Sequence, residues 1–316
     1  MNPFILLLLI IAGISVLVLI TSLVCFLRVF YSPKRKALGL DEFEIPDGEI
    51  YQALSEDIKR WTTEARTLPH EDVSILARDG ITLRGKYYEH KKGAITEILF
   101  HGYRGSGERD LSAGIERCFA LGRNALIVDH RGSGRSDGHV ISFGVKEKKD
   151  ALLWIDFAIK RFGKDVKIVL TGISMGAATV LMVEGEKLPE NVKCVLADCP
   201  YSSQKEIIKK VIREMKLPAN LLYPFVKLGA FVFGGFNLDK ETPLDAMAKC
   251  TLPTIFIHGT TDDYVPCQMS AELFKACTHP VKKFVEIEGA GHGIAFPTDK
   301  EEYITALSAF EKEWNI

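Results

Sequence analysis

Several familiar patterns are missing from this chain, and each absence argues against a class of function. There is no long basic run, and the formal net charge is −1, which argues against a nucleic-acid partner. Neither G-x-x-x-x-G-K-[ST] nor H-E-x-x-H occurs. Gly105-Ser106-Gly107 and Gly132-Ser133-Gly134 lack the rest of any nucleotide fingerprint. The seven cysteines are scattered through apolar contexts, reading as reduced, buried thiols rather than a disulfide framework. Cys194 and Cys199 stand apart from other ligands, so neither a metal nor any other cofactor is expected. No internal repeat or low-complexity segment is found.

Apolar residues make up 47% of the chain and charged residues 26%, an ordinary globular balance. The 316 residues can bury one large core without forcing a split. The amino terminus differs. Phe4–Leu27 carries no charge. As a helix it would extend roughly 36 Å, enough to cross a hydrocarbon core of about 30 Å. A cleaved signal peptide is the rival reading. It would want a basic start, a shorter apolar stretch and a small-x-small exit, whereas only Asn2 and Pro3 follow Met1 and the run ends in Leu23-Val24-Cys25-Phe26. A retained single-pass anchor is the expectation. Arg28, Lys34, Arg35 and Lys36 all follow the run, which by the positive-inside rule leaves the rest of the chain in the cytoplasm.

The spacing divides the chain into an anchor (1–30), a juxtamembrane linker and helix (31–70) and a large domain (71–316). Ile50, Leu54, Ile58 and Trp61 recur at helical spacing, predicting an amphipathic helix docked on the domain or the membrane surface. Val73–Ala77 and Ile81–Tyr88 read as a strand pair turning at Asp79-Gly80. Short apolar runs then alternate with helical stretches: Ile95–Phe100, Ala125–Asp129, Val166–Leu170, Val192–Ala197, Thr254–Ile257 and Lys283–Ile287. This predicts an α/β fold, a mainly parallel sheet with helices on both faces. The regularity lapses over 201–247, read as a lid or cap insert, or simply more core, and too short and interrupted to span a membrane.

Gly172-Ile173-Ser174-Met175-Gly176 fits G-x-S-x-G, and so does Gly134-Arg135-Ser136-Asp137-Gly138. Context separates them. The first follows an apolar strand run and opens the small-residue stretch Ala177-Ala178-Thr179. That is strand, sharp turn, helix, the geometry that lifts a serine hydroxyl above a sheet edge. No helix follows the second, so Ser136 reads as a loop residue.

Five segments together resemble the α/β-hydrolase superfamily. Besides the elbow at Ser174, His101-Gly102-Tyr103-Arg104-Gly105 resembles its oxyanion loop. Asp129-His130-Arg131-Gly132-Ser133-Gly134-Arg135-Ser136 resembles its D-x-R-G-x-G-x-S loop. His258-Gly259-Thr260-Thr261-Asp262-Asp263-Tyr264-Val265-Pro266 resembles the segment that supplies the acid. Gly289-Ala290-Gly291-His292-Gly293 resembles the histidine loop. The resemblance runs from about Val73 to Trp314 in the family's order. It implies Ser174 as nucleophile, His292 as base, Asp262 as the orienting acid, and the backbone N–H groups of Tyr103 and Met175 as oxyanion donors. Asp263 and Asp198 remain rival acids. Asp129 is expected to brace its own loop, and His101 and His258 to shape theirs. Arg104 is either a solvated loop arginine or a contact for an anionic substrate group.

The expected activity is carboxylic-ester hydrolysis of a small-molecule or lipid-like acyl substrate through an acyl-enzyme. The same fold also hosts peptidases and thioesterases. A membrane-anchored binding protein that kept the fold without activity is the alternative from another class.

Overall fold

The alternation of apolar runs becomes one eight-stranded sheet in the computed structural model, which describes residues 1–34, 39 and 41–314. Arg35 and Lys36, part of the basic cluster behind the orientation argument, lie outside the described residues. Helix α1 covers Pro3–Val29, and α2 (Glu49–Ala53) and α3 (Ser55–Thr67) precede the sheet. The expected strand pair is β1 (Glu71–Leu76) and β2 (Thr82–Tyr88). Then follow β3 (Thr96–Phe100), α4 (Gly107–Ala120), β4 (Asn124–Val128), α5 (Glu147–Phe162), β5 (Ile168–Ile173), α6 (Met175–Glu184) and β6 (Val192–Asp198). The irregular stretch holds α7 (Gln204–Glu214), α8 (Ala219–Val232) and α9 (Pro243–Met247). The chain closes with β7 (Thr254–Gly259), α10 (Cys267–Ala276), β8 (Lys282–Ile287), α11 (Ala295–Thr298) and α12 (Lys300–Trp314).

The strand order is β1-β2-β4-β3-β5-β6-β7-β8. Only the β1–β2 and β2–β4 pairs are antiparallel; β4 through β8 run parallel. Central strands are buried on both faces, which is why β3, β4 and β5 read as continuous apolar runs rather than alternating ones. Ile98, Leu126 and Leu170 face α5 and α6, where Trp154, Val180 and Leu181 are buried. The opposite face meets α4 through Leu111 and Ile115 and α12 through Tyr303, Leu307 and Phe310. Glu97, on β3, is buried between the guanidinium groups of Arg117 and Arg123 and accepts from Thr171 Oγ1 at 2.7 Å.

Two packing features differ from the sequence expectation. First, the boundary drawn at residue 30 runs through packed structure. Phe30 is fully buried and Phe26 nearly so; both belong to the apolar cluster of Tyr201, Ile208, Tyr223 and Val226. Ser32 N–H donates to the His139 carbonyl and Ile141 N–H to that of Phe30, stitching the helix end into the domain. Second, the stretch read as a lid, 201–247, packs along α1. Tyr223, Val226 and Ala230 face inward at helical spacing, and a Cβ at Gly229 would strike the Ser22 carbonyl. Gly229 allows this close approach of α8 to α1.

Candidate active site

Strands β3, β5, β7 and β8 all run in the same direction, so the loops after their carboxyl ends gather at one edge of the sheet. Ser174 sits immediately after β5, at φ 57° and ψ −114°, a conformation costly for a residue with a side chain. Neighbouring glycines make the turn feasible. A Cβ at Gly172 would collide with the Gly176 backbone, and one at Gly176 with the backbone of Phe100 and His101. Ser174 is thus lifted to the start of α6. Met175, the first residue of that helix, carries one of the N–H groups for which a helix has no internal acceptor.

His292 follows β8. Its Nε2 lies 2.9 Å from Ser174 Oγ, and its Nδ1 lies 2.7 Å from Asp262 Oδ2. A carboxylate only accepts, so Nδ1 carries the proton and Nε2 presents its lone pair to the serine hydroxyl. Burial alone would raise the Asp262 pKa. Hydrogen bonds from His258, His292 and the Val265 N–H outweigh it and hold the carboxyl well below the usual range. Tyr264 N–H adds another at 3.0 Å, so Asp262 is ionised and fixed. Of its rivals, Asp263 is exposed, and Asp198 accepts from the Tyr303 hydroxyl at 2.9 Å; burial drives its pKa up.

The surrounding loops hold this edge in place. His101 Nδ1 donates to the Gly102 carbonyl at 2.7 Å and its Nε2 accepts from His130 N–H at 2.9 Å. His258 Nε2 donates to the Val265 carbonyl at 2.8 Å. Asp129 accepts from Gly107 N–H and Arg135 N–H, and Ser136 Oγ donates to the Asp129 carbonyl. All are loop-shaping contacts. Arg104 is half-buried and bound to main-chain carbonyls. Its Nη2 donates to the Arg28 and Tyr31 carbonyls, both at 2.9 Å, while the Tyr103 hydroxyl donates to the Val29 carbonyl at 2.7 Å. The loop bearing the Tyr103 amide therefore caps the carboxyl end of α1, whose last carbonyls have no acceptor role inside the helix.

Cys199 Sγ comes within 4.8 Å of ligand atoms on Asp262 and His292. Burial and the nearby Asp198 and Asp262 carboxylates push its thiol far above the usual range, and metals bind the thiolate. The facing atoms of Asp262 and His292 are already committed to each other, so this trio is a poor fit for a metal.

Beside Ser174 opens a cavity of about 680 Å³. One wall comes from the sheet edge, including Tyr103, Ile173, Ile294 and Phe296; the other comes from Ile50, Leu54, Ile58 and Trp61. The segment expected to dock on the domain thus lines the cavity, broken at Leu54 into α2 and α3. The Tyr51 hydroxyl donates to the His292 carbonyl at 2.8 Å. Sequence reasoning missed Tyr51, and also Asp110, whose Oδ2 accepts from Gly102 N–H at 3.1 Å. The helical spacing of Ile50, Leu54 and Ile58 was a signal that they faced something apolar, but not what.

Comparison with known proteins agrees with this architecture. Residues 98–247 match a family described as alpha/beta hydrolase fold, and residues 223–304 a serine hydrolase family, FSH1. An uncharacterized Bacillus subtilis protein, YqkD, is 29% identical over 62% of this chain, and the match spans 64% of its own length. An esterase from Pyrococcus furiosus, Pf2001, superposes with a TM-score of 0.66 at 24% identity, covering 90% of this chain and 98% of that one. Est1E from Butyrivibrio proteoclasticus, solved with ferulic acid bound, gives 0.58 at 22% identity over 77% and 98%. Sheet order, strand-to-helix elbow and family matches agree: this chain belongs to the α/β-hydrolase superfamily.

Proposed function

We propose that the chain is a membrane-anchored carboxylic-ester hydrolase working through an acyl-enzyme on Ser174. Ser174 Oγ attacks the ester carbonyl as its proton passes to His292 Nε2. The N–H groups of Met175 and Tyr103 receive the oxyanion, while Asp262 steadies the imidazolium. Collapse breaks the C–O bond, and His292 protonates the departing alkoxide. Water, deprotonated by His292, then releases the acid and restores Ser174. The observation that carries this reading is the unbroken chain Ser174 Oγ, His292, Asp262 at 2.9 and 2.7 Å on a strained elbow. An ester with a sizeable apolar acyl group suits the cavity, whose walls offer Ile50, Leu54, Ile58 and Phe296. The esterase neighbours point the same way.

We read α1 as a retained anchor rather than a cleaved leader. Cleavage at the end of the apolar run would remove Phe26 from the core and leave the buried Phe30 beside a new terminus. Arg28, Lys34, Arg35 and Lys36, all following the run, support a cytoplasmic hydrolase domain by the positive-inside rule.

Fluorophosphonate labelling and p-nitrophenyl ester turnover, with Ser174→Ala alongside, test the catalytic reading. Wild type should label and turn over while the variant does neither. Equal behaviour of the two would remove Ser174 as nucleophile; a well-folded wild type silent in both assays would favour the non-catalytic alternative.

A further inference from the structure

Helix α8 carries an apolar face that the domain does not use. Its inner face, Tyr223, Val226 and Ala230, is buried. Its outer face presents Leu221, Pro224, Phe231 and Val232, with Leu228 half-buried beside them; Asn220 and Lys227 are exposed on the same side, Lys227 pairing with Asp239 at 2.6 Å. Leu221 is 63% exposed and Phe231 67%, and Met215 and Leu217 are exposed just before the helix. Among the described residues, most of the large apolar side chains exposed outside α1 fall in this one stretch. A soluble monomer rarely leaves such a patch uncovered.

The position of the patch says what covers it. The long apolar part of α1 has no burial against the domain and a mean hydropathy of 3.1. Burial begins at Ser22, whose carbonyl abuts Gly229 of α8, and the Phe26 and Phe233 rings lie 5.9 Å apart. The free part, from Pro3 to Thr21, is about 28 Å long at about 1.5 Å per residue, close to the roughly 30 Å of a hydrocarbon core. A bilayer holding that length ends level with Gly229, where α8 meets α1. Arg213 and Lys216, both exposed, stand next to Met215 and Leu217 in the sequence, the kind of basic group that anionic headgroups attract.

We propose that the outer face of α8, with Met215 and Leu217, is a second membrane contact, seated in the phospholipid interface beside the crossing of α1. The inference rests on the reading of α1 as an anchor. It makes the domain lie against the membrane at two points, which fixes its orientation there.

Tryptophan quenching by dibrominated phosphatidylcholine tests it in the full chain reconstituted in vesicles. Phe231→Trp reports on the patch, Leu17→Trp on α1, and Leu76→Trp, at an exposed β1 position, on the water-facing surface. Emission is corrected for the native tryptophans. We expect at least twofold quenching in the Leu17→Trp and Phe231→Trp chains and almost none in the Leu76→Trp chain. If only the Leu17→Trp chain is quenched, the anchor reading stands and the α8 contact is overturned. If neither is quenched, the anchor reading fails and takes the proposal with it. If the added tryptophan in the Phe231→Trp chain is shielded from both bromolipid and aqueous iodide, a protein surface covers α8 instead, and the proposal also falls.

Discussion

Removing the amino-terminal helix to obtain a soluble enzyme should succeed or fail according to where the cut falls. A chain beginning at Thr21 keeps Phe26 and Phe30; one beginning at Pro33 loses both. Each phenylalanine is almost completely buried, and their rings lie 6.2 Å apart within one cluster. Losing a buried phenylalanine side chain costs about 3–5 kcal/mol. The pair therefore costs roughly 6–10 kcal/mol, less any saving because neighbouring losses are not additive. The longer cut also takes the carbonyls of Arg28, Val29 and Tyr31, which accept from Arg104 and Tyr103. Net stabilities are only about 5–15 kcal/mol, so the second cut removes a large share. The assay is thermal melting followed by near-ultraviolet circular dichroism, both chains in the same mild detergent, with fluorophosphonate labelling at the lower temperatures. The chain from Thr21 should melt cooperatively and label. The chain from Pro33 should show no cooperative transition, or one lower by at least about 12 °C, taking about 2 °C per kcal/mol for a domain of this size. Transitions within a few degrees of each other would refute the claim that the end of α1 is core.

Three further outcomes follow from the geometry. Asp262→Asn should cut kcat by about 10³–10⁴-fold, because an amide in this position favours the wrong imidazole tautomer; steady-state kinetics showing less than a tenfold loss would point to another acid. Leu54→Trp should fill the cavity between α2 and α3, lowering kcat/KM for octanoate esters at least tenfold and leaving acetate esters nearly unchanged; equal loss on both would mean the acyl chain lies elsewhere. Glu97→Gln should destabilise the fold by about 3–5 kcal/mol in urea titration, because Arg117 would be left as a buried, uncompensated charge and Arg123 would keep only Glu311. Burial would raise the Glu97 pKa, but the two arginines overcome it and hold it below its usual value. Its contribution is therefore present above the unfolded glutamate value of about 4.3 and lost as pH falls below it. The variant should lack that part of the acid-induced loss of stability.

The sheet and its edge were legible because they are written in local patterns. The runs around Ile98, Leu126, Leu170 and Phe256 are apolar for want of any water-facing side, and the two-glycine elbow at Ser174 can be read without a partner. The loops that meet there carried short, recognisable segments in a fixed order. What could not be read is pairwise and distant in sequence. Phe26 and Phe30 look like the tail of an apolar run, and nothing local distinguishes a lipid-facing phenylalanine from one packed on Tyr223. Arg104 looked solvent-bound because its acceptors are main-chain carbonyls, which leave no trace in residue identity. The stretch 201–247 was apolar enough to cover a cavity, but the periodicity of Tyr223, Val226 and Ala230 does not name the surface it fits. Tyr51 reaches a carbonyl far along the chain, beyond any window of pattern reading.

The cavity wall built by α2 and α3 has a consequence for how this scaffold can diversify. That wall precedes the sheet, contributes no strand to it, and touches the reacting edge through few contacts, among them the Tyr51 hydroxyl on the His292 carbonyl. A cassette spanning residues 46–61 could be exchanged between relatives without altering the order of the strands or the turn that lifts Ser174. One wall of the cavity and the Ser174–His292–Asp262 chain therefore lie on separate stretches of one polypeptide, and a library confined to residues 46–61 varies the wall while leaving those three residues unchanged.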